Sequence, residues 1–195
     1  MSTNGTNSLQ YGGTFTNSGT LEIQSGTLGF NSGSFSQTTG ETKLSGGALN
    51  GSTFGFAGGK LSGNGTINAV VINGGVLSPG SSPGTITING SYTQTSAGIL
   101  KVELSGPAAG TEFDRLVVNG PASLAGGLNV TLLNGYMPTL NDPFSIMTYS
   151  SHAGTFATVN FPALQNGVAL KPQYSTTELN LQTGAKKATG QVTSQ

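Results

Sequence analysis

The chain has 195 residues, of which 34% are hydrophobic and 7% charged, and its formal net charge is zero. This length fits one domain with a sizeable core. A nucleic-acid partner is excluded, because phosphate binding needs clustered Lys and Arg, and Arg115 is the only arginine. Cysteine is absent, so disulfides are excluded, and the content of β-branched and aromatic residues argues against general disorder.

The chain begins with a polar stretch, residues 1–10, which we predict to be a segment outside the main domain. The sequence contains no secretory signal sequence and no apolar run of about 18 residues, the length that would span a membrane. We expect the segment to follow a leader that has been removed.

The main domain is predicted to cover residues 11–184, and its first part, 11–78, is rich in glycine and repetitive. Matching residues stand 21 positions apart, namely Gly19 and Gly40, Ile23 and Leu44, Gly26 and Gly47, and Leu28 and Leu49. A period near twenty residues with several short strands per repeat is typical of a β-solenoid, in which successive coils stack on one another. The same offset places Glu22 over Lys43 as a pair of opposite charges.

Two motifs return later in this part with altered spacing. The sequence KLSGG at residues 43–47 reappears as KLSGN at 60–64, and GTI at 65–67 reappears at 84–86. Repeats that drift by a few residues indicate coils whose connecting loops differ in length.

Strands with one buried and one exposed face are predicted wherever apolar and polar residues alternate, as in Thr85–Ile88 and Ile99–Leu104. Before the first of these, Pro79-Gly80 and Pro83-Gly84 must interrupt the ladder and turn the chain.

Asn-Gly pairs that follow apolar residues predict corners, because Asn and Gly tolerate the left-handed backbone conformation. They are Asn73-Gly74, Asn89-Gly90, Asn119-Gly120 and Asn134-Gly135. Asn-Gly is also a strong hairpin signal, so an antiparallel β-sandwich is the alternative fold. The repeat spacing favours the solenoid.

The second part of the domain, residues 85–184, is predicted to have longer strands: Ile99–Leu104, Leu116–Val118, Leu128–Leu133, Phe144–Tyr149 and Glu178–Leu181. Residues 136–144 and 161–174 are predicted to be loops that leave the stack, and 185–195 a tail or linker. No segment predicts a helix. At a strand spacing of ~4.8 Å, roughly nine coils would form a rod on the order of 40 Å long.

Three stretches resemble the C-terminal portion of the β-helical passenger region of bacterial autotransporter adhesins and related secreted β-solenoid proteins. They are GGVLSPGSSPGTITINGSYTQTSAGILKVEL, FDRLVVNGPASLAGGLNVTLLNG and FSIMTYSSHAGTFATVNFP. The element SPGSSPGT followed by DRL-x-V-x-G is the most specific feature, and the resemblance covers residues 74–181. It implies a right-handed parallel β-helix and display on the cell surface.

Few residues suggest chemistry. Glu112 and Asp114 alternate onto one predicted strand face beside Arg115, which makes them a candidate acid/base pair. The simpler interpretations are a solvated strand end or a turn held by Asp114. His152 is the only histidine, which excludes a two-histidine metal site, and its neighbours predict a loop. We therefore assign no catalytic, cofactor-binding or metal-binding residue and expect no enzyme and no cofactor.

Two further patterns have a structural interpretation. Threonine pairs occur at positions 14 and 16, 85 and 87, and 93 and 95. Regular rows of threonine on a flat solenoid can order water and bind ice, but these pairs share no common period and fit ordinary β-propensity. Four aromatic residues are predicted to stack inside successive coils rather than to form an exposed stripe for sugars: Phe15, Phe35, Phe54 and Phe56.

The sequence thus favours a non-enzymatic, extracellular structural or adhesive β-solenoid module of a bacterial surface or matrix. Neither terminus predicts a capping helix, so the strands at the ends of the solenoid would be open. Either these strands pair with other copies end to end, as in a filament, or the chain is an excerpt of a longer solenoid. Host or cell-surface glycans and proteins are the other expected partners, without membrane insertion. The alternatives are a glycan-binding module and a polysaccharide-degrading β-helix enzyme.

Overall fold

The computed structural model of the chain describes residues 6–9, 13–30, 33–164 and 167–185, and of residues 6–9 it describes only the backbone. These residues form no helix, which confirms the all-β prediction. In chain order the strands are β1 (Thr6–Leu9), β2 (Thr14–Asn17), β3 (Thr20–Ile23), β4 (Thr27–Phe30), β5 (Ser34–Gln37), β6 (Glu41–Phe56), β7 (Lys60–Asn73), β8 (Val76–Pro79), β9 (Thr85–Ile88), β10 (Tyr92–Gln94), β11 (Ile99–Leu104), β12 (Arg115–Val118), β13 (Pro121–Leu124), β14 (Gly127–Leu132), β15 (Pro143–Thr148), β16 (Ser151–Gly154), β17 (Thr158–Asn160), β18 (Val168–Tyr174) and β19 (Glu178–Ala185).

The strands form one curled open sheet in which three ladders of parallel strands can be followed. The first ladder contains β3, the starts of β6 and β7, then β8, β11, β14 and β17. The second contains β1, β4, the middles of β6 and β7, then β9, β12 and β15. The third contains β2, β5, the ends of β6 and β7, then β10, β13 and β16. We call one passage of the chain through the three ladders a coil.

Parallel pairing dominates: sixteen of the eighteen strand pairings among the described residues are parallel. The antiparallel sandwich, kept above as the alternative, requires the opposite pattern and does not describe this sheet.

The predicted spacing of 21 residues is confirmed at the start of the stack, where Ile23 pairs with Leu44 and Leu28 with Leu49. The repeated KLSG motif, however, does not set the next register. Lys60 pairs with Glu41 and not with Lys43. A shift of two residues keeps every side chain on its own face of the strand, and it places Lys60 beside a carboxylate.

Apolar side chains that stand over one another in successive strands build the core. Leu61, Leu77, Leu100 and Leu128 follow each other in the first ladder, and each is 0% exposed. Burial of a leucine side chain is worth about 1.5–3 kcal/mol. The alternation of buried and half-exposed residues in β9 and β11 is the predicted one.

The four Asn-Gly corners are present, but their backbone conformation differs from the prediction. Of the eight residues in these four pairs, only Asn134 and Gly135 have positive φ, at 52° and 69°. At Gly90 a Cβ atom would lie 2.1 Å from the carbonyl oxygen of Ala69, and at Gly120 it would lie 2.5 Å from that of Gly90. Close stacking of successive backbones, not a left-handed φ, therefore requires glycine at these two corners.

The C-terminal part of the described chain ends the second ladder with an antiparallel hairpin. β19 pairs antiparallel with β15, and β18 pairs antiparallel with β19. The prediction that residues 161–174 form a loop is therefore wrong for Val168–Tyr174, where Pro172 interrupts the alternation by which a strand is recognised. Of the predicted loop 136–144, residues 136–142 lie outside the strands, whereas Pro143 and Phe144 begin β15.

Each ladder contains seven parallel strands among the described residues, which is fewer than the roughly nine coils predicted. The estimate assumed coils of about twenty residues. Ile99 pairs with Gly127, and Gly127 with Thr158, so the later coils take 28 and 31 residues. The predicted segment 1–10 includes β1, whereas the predicted tail, apart from Ala185, lies outside the described residues.

Candidate functional site

Charged side chains of the first ladder pair across neighbouring strands. Lys43 Nζ lies 3.2 Å from Glu22 Oε1, as predicted, and Lys60 Nζ lies 3.3 Å from Glu41 Oε1. Ser45 Oγ donates a hydrogen bond to Glu22 at 2.7 Å, and this bond, followed by Lys43, lowers the pKa of Glu22. These carboxylates join successive strands on an exposed face.

Asp114 joins the turn before β9 to strand β11 inside the molecule. Its side chain is 0% exposed, and its oxygens accept the backbone N–H groups of Gly84 and Glu103, each at 2.9 Å. Burial raises the pKa of this carboxyl to about 7, against the opposing effect of these two bonds. Of the two simpler interpretations, a turn held by Asp114 is therefore confirmed, whereas a solvated strand end is wrong for this buried carboxyl.

Glu112 and Asp114 do not share a strand face. Glu112 lies in the turn before Phe113, where its Oε2 accepts the N–H of Ala108 at 2.9 Å, whereas Asp114 is buried. Arg115 begins β12 opposite Thr85 and pairs with neither carboxylate in the described part of the chain. The predicted acid/base geometry is therefore wrong, because the chain turns between the two carboxylates.

His152 lies in strand β16 opposite Ala122 and not in a loop as predicted. Its ring is half-buried between two tyrosines, with centroid distances of 5.0 Å to Tyr149 and 5.8 Å to Tyr174. The Tyr149 hydroxyl donates to the backbone carbonyls of Ser175 and Glu178. The histidine thus helps to pack the hairpin against the third ladder.

The predicted phenylalanine stack is confirmed. Phe15, Phe35 and Phe54 follow one another in the third ladder, with ring centroids 5.9 and 5.3 Å apart. Phe56 and Phe30, a residue that sequence reasoning missed, complete the cluster at 5.4 and 5.6 Å from Phe35. These aromatic rings face the core, so they do not form an exposed stripe for sugars.

An outer row of asparagine amides runs along the second ladder, and sequence reasoning missed it. Asn68 donates to Asn50, Asn89 to Asn68 and Asn119 to Asn89, at 2.5, 2.6 and 2.6 Å. Such amide ladders form where identical side chains repeat at the strand spacing. The sequence signal that could have predicted this row is the asparagine that recurs next to the apolar residues of the second-ladder strand in successive coils.

A second polar network is buried at the corner between the third and first ladders. Asn17 donates to Gln37 at 3.0 Å near the start of the stack. Further along, Asn73 donates to the Tyr92 hydroxyl at 3.2 Å, and this hydroxyl donates to Gln94 at 2.8 Å. Burial raises the pKa of Tyr92. Because these polar groups satisfy one another, they fix the corner without an exposed reactive group.

Two shallow grooves on the outer surface adjoin each other at Ala97. The first has a volume of about 250 Å³ and contains Ile72, which is 41% exposed. The second has a volume of about 260 Å³ and includes Asn160, whose amide donates to Asn129 at 2.8 Å. No lining residue of either groove is ionisable. The grooves therefore form an uncharged candidate site for a neutral partner.

Other predicted features are distributed over the sheet. The threonines at 85 and 87 lie in the second ladder, whereas those at 14, 16 and 93 lie in the third, so the three pairs do not all lie on one face. Within residues 6–9, 13–30, 33–164 and 167–185, no group of His, Asp and Glu side chains is placed to hold a metal ion. The same residues include no helix long and apolar enough to cross a membrane.

The fold and the site define an all-β protein whose polar side chains mainly connect neighbouring strands. No protein-family model matches the chain, and no curated protein matches it. The resemblance to autotransporter passenger regions stays a prediction from the sequence.

Proposed function

We propose that the chain is a right-handed parallel β-helix that serves as a non-enzymatic structural or adhesive module outside a bacterial cell, on its surface or in its matrix. The observation that supports this most is the use of its ionisable side chains. Glu22 and Glu41 pair with lysines of the next strand, and Asp114 binds two backbone N–H groups. Side chains used in this way stiffen a scaffold.

The parallel ladders support the β-helix part of the proposal. In the later coils each strand pairs with the third strand after it, as β9 does with β12 and β10 with β13. Crossovers between parallel strands of one sheet are right-handed in nearly all proteins. An experimental structure with left-handed coils would contradict this part.

The adhesive part is supported by the two uncharged grooves, which offer an apolar patch at Ile72 beside the amides of Asn129 and Asn160. Beads coated with the folded chain are expected to bind cells, a glycan array or extracellular matrix proteins, and beads coated with the heat-unfolded chain are expected not to bind. No binding to any of these surfaces would contradict adhesion and leave the structural role.

We include association of copies end to end in the proposal. β16 and β17 each pair on one side only within the described chain, so their other edges offer unpaired backbone groups. The hairpin extends the second ladder past this point, so contact there is expected to use the first and third ladders. Analytical ultracentrifugation and negative-stain images should show concentration-dependent oligomers. A monomer at every concentration would contradict this part alone.

A glycan-binding module is the second candidate, and the exposed Ile72 beside polar groove walls favours it. Replacing Ile72 with Ser should then weaken glycan binding, whereas Thr16→Ser in the same ladder should not. For the polysaccharide-degrading alternative, incubation of the unmodified chain with a panel of glycans is the test. We expect no cleavage by the unmodified chain.

A further inference from the structure

Asn-Gly pairs recur along the chain, and six of them lie wholly within the described residues. They are Asn50-Gly51, Asn64-Gly65, Asn73-Gly74, Asn89-Gly90, Asn119-Gly120 and Asn134-Gly135. In such a pair the backbone nitrogen after Asn can attack the side-chain carbonyl carbon, because glycine has no side chain to obstruct the approach. Whether a given pair reacts depends on how firmly its two residues are held.

Side-chain hydrogen bonds hold five of these asparagines. Asn50 and Asn89 accept amide hydrogen bonds within the outer row, and Asn119 donates one to Asn89 at 2.6 Å. Asn64 Oδ1 accepts the N–H of Thr85 at 2.7 Å, and the buried Asn73 accepts that of Gly75 at 3.2 Å. Ring closure would break each of these bonds.

The glycines that follow are also packed against the neighbouring coil at three of these pairs. A Cβ atom at Gly65, Gly90 or Gly120 would lie 2.3, 2.1 or 2.5 Å from a backbone oxygen of the preceding coil. A backbone nitrogen in so tight a stack cannot rotate toward the side chain unless the coils separate locally.

Asn134-Gly135 differs in both respects. The Asn134 side chain is exposed and makes no hydrogen bond to any described residue, and no atom lies within 4 Å of the position of a Cβ at Gly135. One hydrogen bond, from Tyr136 N–H to the Leu133 carbonyl at 2.8 Å, closes this turn. Opening it does not disturb a ladder.

We propose that Asn134 is a site of spontaneous deamidation in the folded protein. The Gly135 nitrogen attacks Cγ of Asn134, the N–Cγ bond forms, and the Cγ–Nδ2 bond breaks. The Gly135 N–H proton is lost, and ammonia leaves after its nitrogen gains a proton from water. Water then opens the cyclic imide on either side and yields aspartate or isoaspartate. The turn beside the exposed Met137 and Leu140 thereby acquires a negative charge.

The experiment compares the six sites in one sample. The folded chain is held at mildly alkaline pH, digested, and mapped by mass spectrometry for the mass increase of deamidation at each Asn. Asn134 is expected to react at least about tenfold faster than the five held sites, because these need prior local opening. In urea the six rates should converge. Asn4-Gly5 and Asn166, which precedes Gly167, lie outside the described residues, so these two pairs are scored separately.

Two variants complete the test. Asn134→Gln should abolish the fast modification of the 133–142 loop, since ring closure through the longer side chain is slow. Asn141→Gln, in the same loop, should leave it unchanged. The proposal would be overturned if Asn89 or Asn119 deamidated as fast as Asn134 in the folded chain. It would also be overturned if urea changed neither the rate at Asn134 nor the rates at the ladder sites.

Discussion

At the scale of single residues, Asp114 is the position where charge, burial and backbone contacts meet. Its folded-state pKa of about 7 lies above the ordinary value of 3.8, and burial is the main cause. The folded state therefore holds a proton that the unfolded chain has released between these two values. The stability from this group is complete below pH 3.8 and is lost as the pH rises through about 7.

The first prediction concerns this pH dependence. Between pH 5 and 8 the free energy of unfolding should fall by on the order of a few kcal/mol, because one pKa unit is worth about 1.4 kcal/mol. Asp114→Asn should remove this slope, since an amide does not titrate in the range. It should also cost about 1–3 kcal/mol, because the amide has one acceptor oxygen for two N–H groups.

The measurement is urea denaturation at several pH values. Asp142→Asn is the matched control, because Asp142 binds Thr139 in an exposed turn, and this variant should keep the slope. A slope of the same size in Asp114→Asn would show that another group causes it.

The second prediction concerns two glycines. Gly90→Ala should destabilise the fold by about 1–3 kcal/mol, because its Cβ would overlap the carbonyl oxygen of Ala69 at 2.1 Å and the stacked backbones must shift. Gly19→Ala should change stability by less than about 1 kcal/mol, since nothing lies within 4 Å of the new atom. Urea midpoints measure both variants, and equal losses would refute the stacking explanation.

At the scale of elements, the hairpin of β18 and β19 closes the second ladder. Leu179 and Leu181 of β19 are fully buried, and β19 pairs with β15 along Phe144 to Thr148. The hairpin therefore covers an edge that would otherwise present unpaired backbone groups. Lys171 and Pro172 in β18 make the new outer edge a poor template for further strands.

The third prediction follows from this cover. Leu179→Ala should cost about 2–5 kcal/mol, because it leaves a cavity under the hairpin. It should speed hydrogen exchange in residues 143–148 and 168–185 before the rest of the molecule is affected. Gln173→Ala, at an exposed position of β18, should leave exchange unchanged. Uniform faster exchange over all strands would contradict a locally docked hairpin.

The sequence predicted most strands of the ladders, because their alternation of apolar and polar residues is local. Thr85–Ile88 and Ile99–Leu104 have the predicted bounds. It did not predict that Lys60 lies over Glu41, since the repeated KLSG letters suggest another alignment and both registers give the side chains the same orientation. The strand at Val168–Tyr174 was not predicted, because its own residues do not alternate clearly and it is held by pairing with β19, which forms only in the folded chain.

The candidate site was less predictable than the fold. The burial of Asp114 depends on contacts with Gly84 and Glu103, 30 and 11 residues away. The grooves at Ala97 arise where the 94–98 corner stands between two ladders, and their walls come from several successive coils. Sequence spacing does not determine such combinations, because later coils vary in length.

At the scale of the whole molecule, stability is expected to come from stacked apolar side chains and strand ladders, with a small share from charge. Only two ion pairs join side chains of the described residues, and both are partly exposed. Exposed pairs of this kind contribute little to stability, because water and salt screen them.

The fourth prediction is weak salt dependence. Raising sodium chloride to about 1 M, where the Debye length is about 3 Å, should lower the free energy of unfolding by less than about 1–2 kcal/mol. Replacing both Lys43 and Lys60 with Gln should have a similarly small effect and should remove the remaining dependence. Thermal unfolding at low and high salt measures this. A large loss of stability in salt would mean that electrostatic attraction holds the coils together.

The outer asparagine row has a direction. Asn119, Asn89 and Asn68 each donate toward the preceding coil, so their amide dipoles add along the axis of the stack. The row begins with the Nδ2 group of Asn50, a donor, and ends with the Oδ1 atom of Asn119, an acceptor. A molecule that approaches along this face therefore meets opposite partial charges at its two limits, and an elongated guest with its own dipole would be bound in one orientation in preference to the reverse.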